Sequence, residues 1–256
     1  MAHQKKLYIV GNWKMNPDTI LEAKSILSSS ERAAKKARKV SVVVCPPTAF
    51  LGTLSRGTKK KVFFGAQDTH SAPDGAHTGG VSARHARVMG ASYVILGHSE
   101  RRFEGDTDEL VAKKTLTALD AGLKVILCVG ETMRDGHGAF LETVRTQIAT
   151  VFASLPKKHI SDIFIAYEPS WVIGKSYDSA LSPQQIHEMI IFVKKVVSEI
   201  IGREEAMRMP VLYGGSVDFD NAQAILSDGE VSGLLIGRQS LDIENFAKII
   251  LYANSI

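Results

Sequence analysis

Residues 164–174 read Phe-Ile-Ala-Tyr-Glu-Pro-Ser-Trp-Val-Ile-Gly, and the rest of the chain is interpreted outward from this stretch. Its apolar start has the length and composition of a buried strand. Pro169 restricts Glu168 to extended backbone, so the main chain itself helps to aim the carboxylate. The stretch predicts a strand, a positioned carboxylate and then a loop. Taken alone, Glu168 could equally be a solvated charge at a strand end.

Seven more short apolar runs recur along the chain. They are continuous rather than alternating, which is typical of parallel strands buried on both faces. The eight predicted strands are Leu7–Val10, Val40–Cys45, Val62–Ala66, Tyr93–Gly97, Lys124–Val129, Ile163–Tyr167, Val211–Tyr213 and Leu234–Gly237.

Segments with apolar residues at helical spacing lie between the strands. One stripe comprises Leu110, Leu116 and Leu119, and Ser182-Pro183 reads as the N-cap and first residue of the longest helix. Eight strands, each followed by a helix, predict an α/β fold: one (β/α)8 barrel domain over residues 1–256. An open doubly wound sheet is the alternative. That fold usually carries a glycine-rich dinucleotide turn after its first strand, where this chain has Gly11-Asn12-Trp13-Lys14.

The composition is that of an ordinary globular protein, with 45% hydrophobic and 23% charged residues and a net charge of +4. Basic clusters lack interleaved aromatic residues, so we expect no nucleic-acid partner. No apolar run reaches the roughly 18 residues of a membrane span, and none forms a signal-peptide core. We therefore expect a cytoplasmic protein without a membrane partner.

Two cysteines and eight histidines bear on redox and metal chemistry. Cys45 and Cys128 close the second and fifth predicted strands, nearly opposite each other in a barrel, so we expect free thiols. The histidines lack metal-ligand spacing, and we expect no metal. His70 and His77 in one loop leave a weak zinc alternative.

The active site of such a barrel lies where the strands end. Asn12 and Lys14 follow the first strand and offer an amide and an ammonium group to an anionic substrate. His98 follows the fourth strand at a helix start, where the helix dipole disfavours a protonated imidazole, and Ser99 is the expected N-cap. A surface lysine and a structural histidine are the alternatives for Lys14 and His98.

Glycines follow the last two strands, in Gly214-Gly215-Ser216 and in Gly237-Arg238. Bare backbone N–H groups at these two places would suit a phosphate, although simple turns also use glycine. Gly174-Lys175-Ser176 looks like the end of a nucleotide-binding loop. The glycine needed five residues earlier is replaced by Pro169, which excludes that motif.

Five motifs occur in a fixed order along the chain. They are Gly11-Asn12-Trp13-Lys14-Met15-Asn16, Gly65-Ala66-Gln67-Asp68, Gly97-His98-Ser99-Glu100-Arg101-Arg102, Ala166-Tyr167-Glu168-Pro169-Ser170-Trp171 and Tyr213-Gly214-Gly215-Ser216-Val217. In this combination the chain resembles the triosephosphate isomerase family from end to end. The resemblance implies a TIM barrel that interconverts dihydroxyacetone phosphate and D-glyceraldehyde 3-phosphate in glycolysis and gluconeogenesis, without a cofactor.

The resemblance also implies roles for individual residues. Glu168 would be the base that moves a carbon-bound proton, and His98 a neutral electrophile that shuttles protons between oxygens. Lys14 and Asn12 would stabilise the developing negative charge, and Glu100 would support the site. The backbone N–H groups that would hold the phosphate belong to Gly174, Ser216, Gly237 and Arg238.

The chain departs from the common family pattern in three places. The segment Lys175–Leu181, in the loop that follows Glu168, is longer than is usual in the family. The resemblance implies that this loop closes over the site as a lid, so the extra length would affect its closure. Gly237-Arg238-Gln239 stands where Gly-Gly-Ala is common in the family. The backbone N–H group at position 238 remains despite this change, so phosphate binding should remain too. The loop around Thr78 matches the family's arm that reaches toward the partner subunit, so we expect a homodimer. Gly80 stands where family members commonly have a glutamate, which removes a possible interface carboxylate.

Two other functions remain open from the sequence alone. The barrel could be a phosphate-binding scaffold or sensor without turnover, or an enzyme for a different sugar phosphate. Glu168, His98 and Lys14 occur together, which favours an isomerase because a binding protein needs no base.

Overall fold

The computed structural model describes residues 6–56, 61–172 and 181–256. Eight parallel strands close into a barrel in sequence order. The strands are β1 (Leu7–Asn12), β2 (Val40–Cys45), β3 (Val62–Ala66), β4 (Ala91–Leu96), β5 (Lys124–Val129), β6 (Ile163–Tyr167), β7 (Val211–Tyr213) and β8 (Gly233–Ile236). Closure between β1 and β8, where Gly11 pairs with Ile236, confirms the predicted barrel and excludes the open sheet.

Helices follow the strands around the outside of the barrel. In the described residues they are α1 (Ile20–Lys36), α2 (Thr48–Ser55), α3 (Ala83–Val88), α4 (Ser99–Phe103), α5 (Asp108–Asp120), α6 (Ala139–Ala153), α7 (Pro183–Ile201), α8 (Arg203–Arg208), α9 (Phe219–Asp228) and α10 (Ile243–Ser255). The predicted start of α7 is confirmed, because Ser182 and Gln185 each accept the other's backbone N–H through their side chains. None of these helices combines the length and apolarity that a bilayer crossing requires.

Alternate residues of each strand enter two separate apolar layers. In β6, Ile163, Ile165 and Tyr167 pack toward the helices, whereas Phe164 and Ala166 fill the barrel interior. Strand side chains alternate with a period of two. The side chain that follows in the inward series is therefore that of Glu168, at the C-terminal rim of the barrel.

Cys45 and Cys128 belong to the interior layer, where both are buried and free. The predicted free thiols are confirmed. Burial raises the pKa of each thiol, and for Cys128 the charge of Glu168 raises the pKa further. Both thiols therefore stay protonated in the folded protein.

The buried face of α5 differs from the prediction. Leu110 and Leu116 are only partly buried, and Lys114 faces the interior with 5% of its surface exposed. Its Nζ lies 2.6 Å from Asp106 Oδ2 and 2.9 Å from Asp68 Oδ2. Two carboxylates compensate the desolvation of one ammonium group, so a charged residue outside the predicted leucine stripe is buried on this helix.

Candidate active site

Glu168 is held at the barrel rim by its own backbone. Its N–H donates to Val129 O at 2.8 Å, which extends the pairing of β5 and β6 by one residue. The approach is so close that a Cβ on Gly130 would lie 1.9 Å from Glu168 O. Only glycine fits at position 130, and its place at the end of β5 fixes where the Glu168 side chain begins.

The Glu168 carboxylate is buried and poorly satisfied. Its side chain is 3% exposed, Oε1 lies 3.7 Å from His98 Nε2, and Oε2 has no hydrogen-bond partner among the described residues. A Cβ on Gly214 would lie 2.7 Å from Glu168 Cγ, so that glycine provides the space for the carboxylate. Leaving a buried oxygen without a hydrogen bond costs free energy, so this oxygen is available to a molecule bound in the cavity.

His98 is itself the N-cap of α4, which corrects the expectation that Ser99 caps this helix. His98 Nδ1 accepts the backbone N–H of Glu100 at 3.2 Å, and Ser99 is the first helical residue. The imidazole is long enough to reach back to the second N–H of the helix. Because Nδ1 accepts a hydrogen bond, the proton of a neutral ring sits on Nε2, which faces Glu168 and the cavity.

Lys14 adopts a left-handed backbone conformation, with φ of 52°. Its N–H donates to Asn12 Oδ1 at 3.1 Å, and its carbonyl accepts from Gln67 Nε2 at 2.8 Å. Lys14 Nζ lies 2.5 Å from Glu100 Oε1. A non-glycine residue with this φ is strained, and such strain is common at functional sites. Gln67 belongs to a motif found in the sequence, but its role in holding Lys14 was not predicted.

The glycine-bearing turns after β7 and β8 line the same cavity, which has a volume of about 590 Å³. A Cβ on Gly237 would lie 3.6 Å from Lys14 Cε, so the turn after β8 adjoins the lysine. Of the residues predicted for the site, the cavity is lined by Asn12, Lys14, His98, Glu100, Glu168, Ser216, Gly237 and Arg238. Gly174 and the segment 175–180 lie outside the described residues.

A second buried glutamate, Glu131, follows β5 and was not singled out from the sequence. Its carboxylate accepts from Tyr167 Oη at 2.9 Å, Arg134 Nε at 3.0 Å and Trp171 Nε1 at 3.1 Å. Burial, together with the charge of Glu131, raises the pKa of the Tyr167 hydroxyl, which therefore remains a donor. The cluster anchors Trp171, three residues after Glu168.

The loop after β3 stands beside the cavity. His70 N–H donates to Val81 O at 2.7 Å, and the rings of His70 and His77 lie 4.1 Å apart. In the described part of the chain, no three His, Cys, Asp or Glu residues are grouped as a metal site would require.

The chain is similar to known proteins over nearly its whole length. The family model described as triosephosphate isomerase matches residues 7–253. A triosephosphate isomerase of Rhodopirellula baltica is 38% identical over 254 residues, covering 98% of this chain and 99% of the relative. Those of Caldanaerobacter subterraneus subsp. tengcongensis and Trichlorobacter lovleyi are 37% and 36% identical, each over 95% of this chain and over 98% and 97% of their own lengths.

Proposed function

The chain belongs to the triosephosphate isomerase family, and we propose that it interconverts dihydroxyacetone phosphate and D-glyceraldehyde 3-phosphate by proton transfer through an enediolate. The observation that carries the proposal is the buried Glu168 carboxylate. Its Oε2 has no hydrogen-bond partner in the described part of the chain, and the carboxylate shares one cavity with His98 and Lys14.

The proposed reaction begins when Glu168 removes a proton from the carbon beside the substrate carbonyl. A carbon acid of this kind is weak, so the carboxylate can act only if negative charge on the carbonyl oxygen is stabilised as it forms. Glu168 then returns the proton to the neighbouring carbon. Because Oε2 has no partner among the described residues, it loses no hydrogen bond when it accepts that proton.

His98 and Lys14 stabilise the enediolate in this proposal. His98 Nε2 carries the ring proton, because Nδ1 is engaged by the backbone, and it donates to the substrate oxygens. Lys14 supplies a positive charge, with Asn12 as a further donor, and Glu100 holds the ammonium group at the cavity wall. No step requires a cofactor.

The substrate phosphate is assigned to the turns after β7 and β8. Backbone N–H groups of Ser216, Gly237 and Arg238 are the proposed donors, with Gly174 as a fourth. Arg238 starts a 3₁₀ helix, and the first N–H groups of a helix have no partner within it. This arrangement orients the reacting carbons toward Glu168.

We further propose a cytoplasmic homodimer that serves glycolysis and gluconeogenesis. The exposed loop around Thr78 stands beside a cavity that also touches Lys14, and Met15 at its edge is 90% exposed. Covering this exposed apolar side chain with a partner subunit would be favourable, because apolar surface would leave water. Burying Met15 against a partner's loop would complete the wall next to Lys14.

A coupled assay with D-glyceraldehyde 3-phosphate tests the proposed reaction, and gel filtration with light scattering tests the dimer. We expect turnover without added metal or cofactor and a mass twice that of the chain. Absence of turnover in folded protein would overturn the proposed activity, and a monomeric mass would overturn the proposed dimer.

A further inference from the structure

The charges that line the active-site cavity are unfavourable for the proposed substrate. Three carboxylates, those of Glu100, Glu168 and Asp218, face two cations, those of Lys14 and Arg238. A phosphate ester carries nearly two negative charges at neutral pH. Binding it among an excess of carboxylates requires strong local compensation at the phosphate end.

Lys14 provides only part of that compensation. Its Nζ already forms a 2.5 Å ion pair with Glu100 Oε1. The positive charge that an incoming anion meets at Lys14 is therefore reduced by the adjacent carboxylate. In addition, the proposed reaction uses Lys14 at the carbonyl end of the substrate.

Arg238, unlike Lys14, lines the cavity without a carboxylate partner among the described residues. It follows Gly237 directly in the turn after β8, lines the cavity and is exposed. Its guanidinium forms no ion pair with any residue that the structure describes. A planar guanidinium can bind two phosphate oxygens at once, and a charge-assisted pair of this kind is about twice as strong as a neutral hydrogen bond.

We propose that the guanidinium of Arg238 binds the substrate phosphate directly, as a side-chain anchor added to the backbone N–H groups. The inference rests on the proposed function, since it assigns a further binding residue to the same site. The phosphate is chemically unchanged during isomerisation. A contact to it therefore stabilises substrate and transition state alike, and its loss raises KM far more than it lowers kcat.

Three variants test the role of the Arg238 side chain. Arg238→Gln removes the charge, Arg238→Lys keeps the charge without the planar fork, and Arg38→Gln is the matched control. Arg38 is an exposed arginine in the turn before β2, at the opposite end of the barrel. The two glutamine variants change the net charge of the protein equally, so a difference between them reports local binding.

Two measurements separate binding from turnover. The first is KM and kcat for D-glyceraldehyde 3-phosphate, and the second is the Kd of inorganic phosphate, measured from its protection against thermal unfolding. For Arg238→Gln we expect both KM and Kd to rise about tenfold, with kcat changing much less. The KM and Kd of Arg238→Lys should lie between those of Arg238→Gln and the wild type. The dependence of KM on salt concentration should become shallower in Arg238→Gln, because one charge–charge contact has been removed.

The inference is overturned if Arg238→Gln and Arg38→Gln have the same phosphate Kd, or if kcat falls as far as KM rises. Its failure is distinguishable from failure of the proposed function. Lack of turnover in the wild type would refute the isomerase activity, while the phosphate Kd values would still decide whether Arg238 binds the anion.

Discussion

Glu131 and Glu168 follow adjacent strands, β5 and β6, and both are nearly inaccessible to solvent. Glu131 accepts hydrogen bonds from three side chains, whereas Glu168 has a 3.7 Å approach to His98 on Oε1, a contact with the Cys128 thiol, and an Oε2 without a partner among the described residues. Removing a buried carboxylate whose partners remain is costly, because those partners are left buried and unpaired. A buried carboxylate that is left unsatisfied lowers stability and keeps its reactivity. The contrast separates a structural acid from a reactive one.

The largest expected effect is on turnover in Glu168→Gln. The amide cannot remove a proton, so kcat should fall by about a thousandfold or more. The free energy of unfolding should stay the same or rise, because the change removes an unsatisfied buried charge. The coupled assay and urea unfolding measure the two effects. Near-normal turnover would refute the role of Glu168 as the base.

Glu131→Gln should show the opposite pattern. It leaves the Arg134 guanidinium without its buried carboxylate and weakens the bonds to Tyr167 and Trp171. We expect a loss of about 3 kcal/mol in the free energy of unfolding. Urea unfolding at neutral pH measures it, with Glu168→Gln as the matched control. Equal stabilities of the two variants would contradict the comparison between the glutamates.

Gly214→Ala tests whether the position of the Glu168 carboxylate matters as much as its presence. The added Cβ would lie 2.7 Å from Glu168 Cγ and 3.1 Å from Oε1, so the carboxylate must move. We expect kcat to fall by about 10- to 100-fold. Gly136→Ala is the control, because a Cβ there meets nothing within 4 Å. If both variants turned over alike, the packing of Gly214 against Glu168 would be irrelevant to catalysis.

The smallest effect concerns the buried thiols, one of which lies beside Glu168. Because burial raises the pKa of Cys45 and Cys128 in the folded state, their contribution to stability is present below the thiol pKa of the unfolded chain. That contribution is lost as the pH rises above about 8.5. Unfolding free energies between pH 8 and 10.5 should therefore decline.

Replacing both thiols provides the control for that decline. The double variant Cys45→Ala and Cys128→Ala should show a shallower fall in stability over the same pH range. Thiol reagents at pH 8 should label neither cysteine in the folded wild type and both after unfolding. Rapid labelling of the folded protein would contradict the raised pKa values.

The strands and the candidate site residues could be predicted from the sequence because both follow from local rules. Parallel strands buried on two faces leave continuous apolar runs, and six of the eight predicted runs start or end at an observed strand boundary. Site residues follow those runs directly, so Asn12, His98, Glu168 and Gly237 could be found by inspecting each strand end.

Most of the misses involve pairs of residues that are distant in sequence, and one, the cap of α4, is local. Buried Lys114 is paired with Asp68 and Asp106. Buried Glu131 accepts hydrogen bonds from Tyr167 and Trp171. The spacing of residues along the chain does not reveal such partners. The cap of α4 was misassigned because a histidine side chain can replace serine as an acceptor only in a particular geometry. Gln67 was visible in a motif, but its hydrogen bond to the Lys14 carbonyl crosses from β3 to β1.

The amino-acid sequence by itself determined the order of strands and helices and the identity of the acid, imidazole and ammonium groups that follow the strands. Each of these depends on neighbours along the chain, through strand alternation, turn chemistry and helix capping. The tertiary structure decided which buried charges are satisfied and which are left reactive. That distinction depends on distances between atoms brought together only by folding, because the free energy of a buried charge is set by the groups around it rather than by its position in the sequence.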